Sequence, residues 1–113
     1  PVAMASQSAQ FGPVGVPLPG LAGELTLAAE RNPFTGALAL ALTLVDPAPV
    51  TLAVYDVHGR AMARIPYGRL PAGTHRLAWD GRDGSFRDAG AGVFWAEVEV
   101  GDRRLVRRVV RLR

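Results

Sequence analysis

The sequence predicts an all-β protein, an antiparallel β-sandwich of about seven strands that follows an extended N-terminal arm. Thirteen glycines and nine prolines, about a fifth of the 113 residues, interrupt the chain too often for long helices. From residue 23 onward apolar residues alternate with small or polar ones, which is the period of a strand with one buried face. Turn-forming residues separate these runs at sandwich spacing. A hydrophobic content of 49% is sufficient for a folded core.

The chain divides into an arm at residues 1–22 and a sandwich at residues 23–113. The arm is rich in Pro, Gly and Ala and carries no charged residue. Val14, Val16 and Leu18 would share one face of an extended arm, and the neighbouring prolines all stand at odd positions. Because successive backbone groups of a strand point to opposite edges, these prolines leave one edge able to pair. The same residues are equally typical of a polyproline-like tether, so both interpretations stay open.

Seven strands are predicted after the arm, the first around Leu25 and Leu27. Residues 37–44 place leucines at every second position, which would not form a single stripe on a helix, so a strand is favoured despite the helix propensity of Ala and Leu. The other strands are predicted at residues 50–57, 61–65, 74–79, 93–100 and 103–112. Between them we expect tight turns at 58–60 and 101–102, a Pro-containing loop at 68–73 and an Asp- and Gly-rich turn at 80–85.

Five short blocks of turn and strand residues follow one another along the second part of the chain. They are Asn32-Pro33-Phe34, then Tyr55-Asp56 with Gly59, then Gly73 in residues 70–75, then Trp79-Asp80-Gly81, and finally Gly92 in residues 91–94. Together they resemble the C-terminal sorting domain of type IX secretion cargo, and equally the immunoglobulin-like domain of flagellar hook-capping proteins. The resemblance covers about residues 31–113. It implies an immunoglobulin-like (fibronectin III-like) sandwich and, for a sorting domain, recognition by outer-membrane translocation and attachment machinery.

Some of these residues have an evident physical role. Asp56 and Gly59 frame a turn that needs a positive φ, and Asp80-Gly81 closes the strand before it. Gly92 is expected to allow a close backbone approach at the start of its strand.

Arginines are concentrated in the last eleven residues of the chain. They are Arg103, Arg104, Arg107, Arg108, Arg111 and Arg113. Their spacing would fit a basic amphipathic helix on an anionic membrane surface, but the interleaved valines and the Gly101-Asp102 turn favour a strand. On a strand, the arginines would guard an exposed edge or meet an anionic partner such as a surface polysaccharide; guarding is favoured. A net charge of +3 does not indicate nucleic-acid binding.

No catalytic, cofactor or metal site is predicted. The chain has no cysteine, and its only imidazoles, His58 and His75, lie at turns or strand ends without a surrounding ligand set. Asp80, Asp83 and Asp88 lie close enough in sequence for a calcium site. Their spacing differs from an EF-hand loop, and Asp also starts turns by accepting backbone N–H groups, so turn chemistry is favoured.

The favoured function is a non-catalytic extracellular structural module, secreted or at a bacterial cell surface. It would self-assemble into a filament by adding its arm as a strand to a neighbouring copy. The alternative is a C-terminal type IX sorting or anchoring domain cut from a larger secreted protein, which fits a chain that begins at Pro1. Expected partners are further copies of the chain, outer-membrane secretion machinery or an anionic polysaccharide. The longest apolar run, residues 36–45, is about half the length of a membrane-spanning helix.

Overall fold

The computed structural model describes residues 25–113, and this part of the chain contains strands and turns but no helix. The eight strands are β1 Thr26–Ala29, β2 Phe34–Thr35, β3 Leu38–Leu44, β4 Ala48–Tyr55, β5 Ala61–Leu70, β6 Gly73–Trp79, β7 Gly92–Val100 and β8 Arg103–Leu112. They form a three-stranded sheet in the order β1-β3-β6 and a five-stranded sheet in the order β2-β8-β7-β4-β5. The predicted all-β sandwich is confirmed. The expected division at residues 22 and 23 and the alternating arm residues Val14, Val16 and Leu18 lie outside the described residues.

Strand β3 shows why the alternating leucines form a strand. Leu38, Leu40 and Leu42 are fully buried, whereas the alanines and the threonine between them are half-buried on the opposite face. Strand β3 pairs antiparallel with β6 and brings Leu40 opposite Leu77. Alternation with period two therefore prevails over the helix propensity of Leu and Ala, because it buries one whole face of the strand.

An aromatic pair joins the two sheets across the core. Trp79 of the three-stranded sheet and Phe94 of the five-stranded sheet meet edge to face, with ring centroids 5.2 Å apart and an interplanar angle of 61°. Both rings are buried, and the indole N–H of Trp79 donates a 2.9 Å hydrogen bond to the carbonyl oxygen of Arg82. Trp79 therefore fills the core and also holds the loop that follows its own strand.

The strand count differs from the sequence prediction by one short strand. Phe34–Thr35 pairs in parallel with Arg111 and Leu112 of β8. Two residues are too few to show an alternating pattern, so β2 gives no periodic signal in the sequence. Every other strand pair in the two sheets is antiparallel, as expected.

Strand β5 is longer than predicted, and the expected loop at residues 68–73 is wrong. The strand continues through Pro66 to Leu70, so only two residues separate it from β6. Its pairing with β4 passes from Pro66 opposite Thr51 to Gly68 opposite Val50, which leaves Tyr67 as an extra residue in a bulge. A proline beside a bulge in an edge strand removes no required ladder donor, so Pro66 does not end the strand.

The two predicted tight turns are confirmed as hairpins. Strands β4 and β5 are joined by a turn in which the amide of Gly59 donates to the carbonyl oxygen of Asp56 at 3.1 Å. Strands β7 and β8 are joined at Gly101-Asp102, with Val100 opposite Arg103. Strand β4 ends at Tyr55, two residues earlier than expected, because Asp56 already serves the turn.

Candidate interaction surfaces

The end of the last strand is anchored by Arg111, the one charged side chain that is buried among residues 25–113. Its Nε donates to the carbonyl oxygen of Gly36 at 3.0 Å, and its Nη1 donates to Oδ1 of Asp88 at 2.7 Å and to the carbonyl oxygen of Gly90 at 3.0 Å. One guanidinium thus joins β8, the β2–β3 loop and the β6–β7 loop. Grouping Arg111 with the exposed arginines of the last strand was wrong. Its place two residues after the inward-facing Val109 is the sequence signal that marks the buried face.

The carboxylate of Asp88 is held in its charged form by this contact. The Arg111 side chain, and next the backbone N–H of Gly90 at 2.7 Å, lower the pKa of Asp88 from 3.8 to about 2. A hydrogen bond from a cation favours the ionised carboxylate. The ionised Asp88 carboxylate therefore helps to hold the β6–β7 loop against β8.

The other two aspartates of this loop are engaged in turns. Oδ1 of Asp80 accepts the amide of Arg82 at 2.9 Å, and Oδ1 of Asp83 accepts the amides of Ser85 and Arg87 at 2.8 and 3.1 Å. Backbone donors, Arg87 first, lower the pKa of Asp83. This is the turn chemistry favoured from the sequence. The described part of the chain contains no group of three or more His, Asp or Glu side chains that could hold a metal ion.

Gly81 and Gly92, which belong to the family-like blocks, are required for different reasons. Gly81 has φ +83°, and a Cβ there would lie 2.8 Å from the carbonyl oxygen of Gly36 and 2.5 Å from Nη2 of Arg111. Gly92, where a close approach was expected, has open space around an added Cβ but a φ of +148°. The expectation for Gly92 was therefore wrong in its reason: its backbone conformation requires glycine, and the close approach occurs at Gly81.

Asp56 organises the β4–β5 turn. Its Oδ1 accepts the amides of His58 and Arg60, each at 2.9 Å, and its Oδ2 accepts Nε of Arg60 at 2.9 Å. Desolvation opposes ionisation, but these donors, led by the Arg60 amide, outweigh it and lower the pKa of Asp56. His75 lies on the other sheet, where Nε2 is 2.7 Å from the carbonyl oxygen of Pro71. The structure does not bring the two histidines together.

Asn32 covers part of the outer edge of β8. Its Nδ2 donates to the carbonyl oxygen of Arg108 at 2.9 Å, and its Oδ1 accepts the amide of Val110 at 3.0 Å. The side-chain amide thus imitates a neighbouring strand. The Asn32-Pro33 peptide bond is cis, and Phe34 follows with its side chain buried. This block covers an edge that β2 is too short to cover alone.

The basic last strand has two kinds of arginine, and its strand conformation is confirmed. Arg107 reaches across to the three-stranded sheet and donates from Nε to the carbonyl oxygen of Leu27 at 3.0 Å. On the outer face, Nε of Arg104 lies 3.4 Å from Oε2 of Glu97. Arg103 and Arg108 are exposed. Their guarding role stays a prediction, whereas Arg107 joins two sheets.

A groove opens at the seam between β5 and β6, the last strands of their sheets. Near one end of it, the hydroxyl of Tyr67 accepts the amide of Ala78 at 2.9 Å. The groove has a volume of about 380 Å³. Its apolar lining comprises Met62, Ala63, Ile65, Ala78, Trp79 and Phe86. We call this feature the seam groove.

Within residues 25–113, four of the six exposed large apolar side chains lie at one end of the sandwich, and the other two, Val45 and Val106, lie elsewhere. Trp95 lies on the outer face of the five-stranded sheet between Tyr55 and Arg108, and Leu112 extends beyond them towards the C-terminus. These two side chains are 39% and 47% exposed. Val57 and Phe86 lie in loops at the same end and are 62% and 79% exposed. We call this the apolar end.

The opposite end carries the attachment of the N-terminal segment. Thr26 pairs with Thr43 and Leu44 with Gly73, and Leu25 shares a cleft with Gly101 and Asp102, which together place the beginning of β1 beside the β7–β8 turn. Leu25 lines a cleft there with Val45. Residues that precede Leu25 therefore join the sandwich at the end away from the apolar end.

Comparison with solved structures shows the fold. Latent PorU from Porphyromonas gingivalis is 13% identical with a TM-score of 0.64, and the match covers 76% of this chain but 9% of PorU. FlgD from P. aeruginosa is 24% identical with a TM-score of 0.54, covering 67% of this chain and 65% of FlgD. PorZ, a surface component of the type IX secretion system of P. gingivalis, is 16% identical with a TM-score of 0.52, covering 77% of this chain and 11% of PorZ.

The family assignment rests on a match of the sequence to a family model. No curated protein sequence matches the chain. Within residues 25–113 there is no helix that could cross a membrane. The FlgD Ig-like domain family matches residues 28–102, from β1 to the β7–β8 turn, and so spans both sheets. The immunoglobulin-like fold expected from the sequence blocks is confirmed, and the chain belongs to the FlgD Ig-like domain family.

Proposed function

We propose that this chain is a non-catalytic structural module of an exported bacterial assembly, and that its N-terminal arm adds as a strand to a neighbouring copy. Membership of the FlgD Ig-like domain family supports the non-catalytic, structural part of this proposal. The similarity to PorU and PorZ supports export, since PorZ is described as a bacterial surface component. Fold similarity by itself does not assign a function, so the assembly mode depends on the surfaces of this chain.

The observation that carries the proposal is the opposite placement of two features. The arm joins the sandwich beside the β7–β8 turn, and the exposed side chains of Val57, Phe86, Trp95 and Leu112 lie at the other end. Contacts between unlike ends of identical subunits are heterologous and repeat without closing, which gives an open filament. The arm end of one copy would meet the apolar end of the next.

The arm has the residues that strand addition requires. Val14, Val16 and Leu18 stand at alternate positions in a segment without charge, and Pro13, Pro17, and Pro19 remove amides along one edge only. An extended peptide that adds to a sheet gains main-chain hydrogen bonds, and its alternate side chains enter pockets.

The test compares the full chain with a variant that lacks residues 1–22, by light scattering and negative-stain microscopy. Among residues 25–113 the core cluster lies between Leu27 and Val109, so the deletion removes none of these residues. We expect filaments or higher oligomers from the full chain and a folded monomer from the deletion. Val16→Asp is expected to weaken assembly, whereas Gln10→Asp adds the same charge outside the alternating segment and should not. Oligomers that persist after the deletion would contradict the proposal.

The second candidate function is a sorting or anchoring domain of a secreted protein. The structural similarity to the type IX components PorU and PorZ favours it, together with the order of the sequence blocks. A reporter fused ahead of residue 31 would then be secreted by a host that has the type IX machinery. Secretion of the reporter, together with a monomeric full chain, would replace the assembly proposal by this one.

A further inference from the structure

The seam groove is bounded by two strand edges. Strand β5 ends the five-stranded sheet and β6 ends the three-stranded sheet, so within residues 25–113 each has a strand neighbour on one side only. The hydroxyl of Tyr67 bonds the amide of Ala78 and closes β6 at that point. Beyond Tyr67, towards the β6–β7 loop, the seam widens into the groove. In the groove the free edge is that of β5, at residues 62–65, and such an edge accepts an extended peptide as an additional strand.

Phe86 forms part of the apolar lining of the groove, and hydrogen bonds to its backbone hold it in place. Phe86 is 79% exposed and has φ +64°, a conformation that a bulky residue rarely adopts. Its amide donates to the carbonyl oxygen of Asp83 at 3.0 Å, and its own carbonyl oxygen accepts Nη1 of Arg82 at 3.0 Å. Both backbone groups are thus bonded while the ring stays in solvent. The turn that begins at Asp83 therefore fixes Phe86 and presents its ring to solvent at the side of the groove.

The charges at the rim of the groove balance one another. The rim holds two cations, Arg64 and Arg82, and two carboxylates, Asp80 and Asp83. Nη2 of Arg64 lies 3.4 Å from Glu99, and the carboxylates accept backbone amides. The floor, with Met62 and Trp79, is apolar and buried. An uncharged, apolar peptide therefore complements the groove better than a charged one.

We infer that the seam groove is the acceptor site for residues 13–18 of a second copy of this chain, an inference that rests on the proposed function. The segment is uncharged and has apolar residues at alternate positions, as the groove requires. The arm joins the sandwich at the end away from the groove and beside β1, with β3 between β1 and β6. A copy stacked end to end presents its groove to the arm of its neighbour.

The first test blocks the groove in the full chain. Ala78 is exposed on the edge strand β6, so Ala78→Glu brings a charge to the groove without disturbing the core. Ala41→Glu is the matched control, since Ala41 lies on the outer face of the same sheet and outside the groove. We expect the concentration at which oligomers form to rise at least tenfold for Ala78→Glu and to stay within twofold for Ala41→Glu. Circular dichroism and thermal unfolding check that both variants fold.

The second test uses the absence of cysteine from the chain. Val16→Cys is combined with Ala63→Cys in the groove or, as the control, with Ala41→Cys, and a short bismaleimide is added. Cross-linked dimers and longer ladders from the Ala63 pair, but not from the Ala41 pair, are expected. A link within a single copy would overturn the inference of a second copy. Assembly that needs the arm but ignores Ala78→Glu would overturn the groove as acceptor and leave the proposed function standing. A full chain that never assembles would overturn both.

Discussion

Nη1 of Arg111 donates a 2.7 Å hydrogen bond to Oδ1 of Asp88, and the arginine is 8% exposed while the carboxylate is 68% exposed. The pair therefore lies at the boundary of the protein, with its cation inside and its anion in water. The same guanidinium bonds the carbonyl oxygens of Gly36 and Gly90. The last strand is thus fastened to the β2–β3 loop and to the β6–β7 loop, and the second of these contains Asp80-Gly81.

Replacement of Arg111 by Met should destabilise the protein. The carbonyl oxygens of Gly36 and Gly90 would lose their donor, while Asp88 can regain water. Since hydrogen bonds to a charged group contribute about 1.5–3 kcal/mol and the exposed carboxylate reduces the loss, we expect about 2 kcal/mol less free energy of unfolding. Urea denaturation measures it. Arg108→Met is the control, because Arg108 is exposed, and it should change stability by less than about 0.5 kcal/mol. Equal effects of the two substitutions would contradict the role of Arg111 as the anchor of β8.

Acidification should lower the stability of the folded protein because it protonates Asp88. Its pKa is about 2 in the folded protein against an ordinary value of 3.8, so its contribution is complete above about pH 4 and is lost as the pH falls towards 2. Asp56 and Asp83 shift in the same direction. We expect the midpoint temperature of thermal unfolding, measured at a series of pH values, to be constant near neutral pH and to fall between about pH 4 and pH 2. Asp88→Asn should lower the midpoint at neutral pH and make the fall shallower, so that the variant and the natural chain converge at the acid end. Asp102→Asn, in the exposed β7–β8 turn, should leave the profile unchanged.

Gly81→Ala should be more harmful than Gly84→Ala. At Gly81 the added methyl group meets the Gly36 carbonyl oxygen, which is backbone, and the φ of +83° adds strain. At Gly84 the methyl group meets nothing within 4 Å. We expect a loss of more than about 2 kcal/mol at Gly81 and less than about 1 kcal/mol at Gly84. Thermal unfolding of both variants measures the difference. Similar midpoint temperatures would show that the β6–β7 loop can move away from the β2–β3 loop at little cost in stability.

The sequence patterns predict the long strands well because burial of one face imposes period two over many residues. Leu38 to Leu44 show it most clearly, and both hairpins follow from their glycines. The patterns do not predict those strand boundaries that are determined by tertiary contacts. The bulge at Tyr67 lets Pro66 stay in a strand, and β2 exists only because β8 lies beside it.

The candidate surfaces are less predictable than the fold. The alternating arm is visible in the sequence, but the seam groove is formed by β5, β6 and a loop that come together only in the folded chain. Arg111 resembles its neighbouring arginines in sequence, and its burial is determined by Gly36, Asp88 and Gly90, which are all more than twenty residues away.

Asn32→Asp tests how the outer edge of β8 is covered. Asparagine both donates to the Arg108 carbonyl oxygen and accepts the Val110 amide, whereas an ionised aspartate can only accept. The carboxylate would keep the Val110 amide but face the Arg108 carbonyl oxygen without a proton between them. We expect a loss of about 1 kcal/mol at neutral pH. We also expect faster hydrogen exchange at Val110 and the residues paired with it. Asn32→Ala removes both bonds and should expose the edge further, so exchange at Val110 should rise from the natural chain to Asp and then to Ala. If Asp matched the natural chain in stability and exchange, the donor half of the contact would contribute nothing, and the bond from the Val110 amide would suffice to cover this part of the β8 edge.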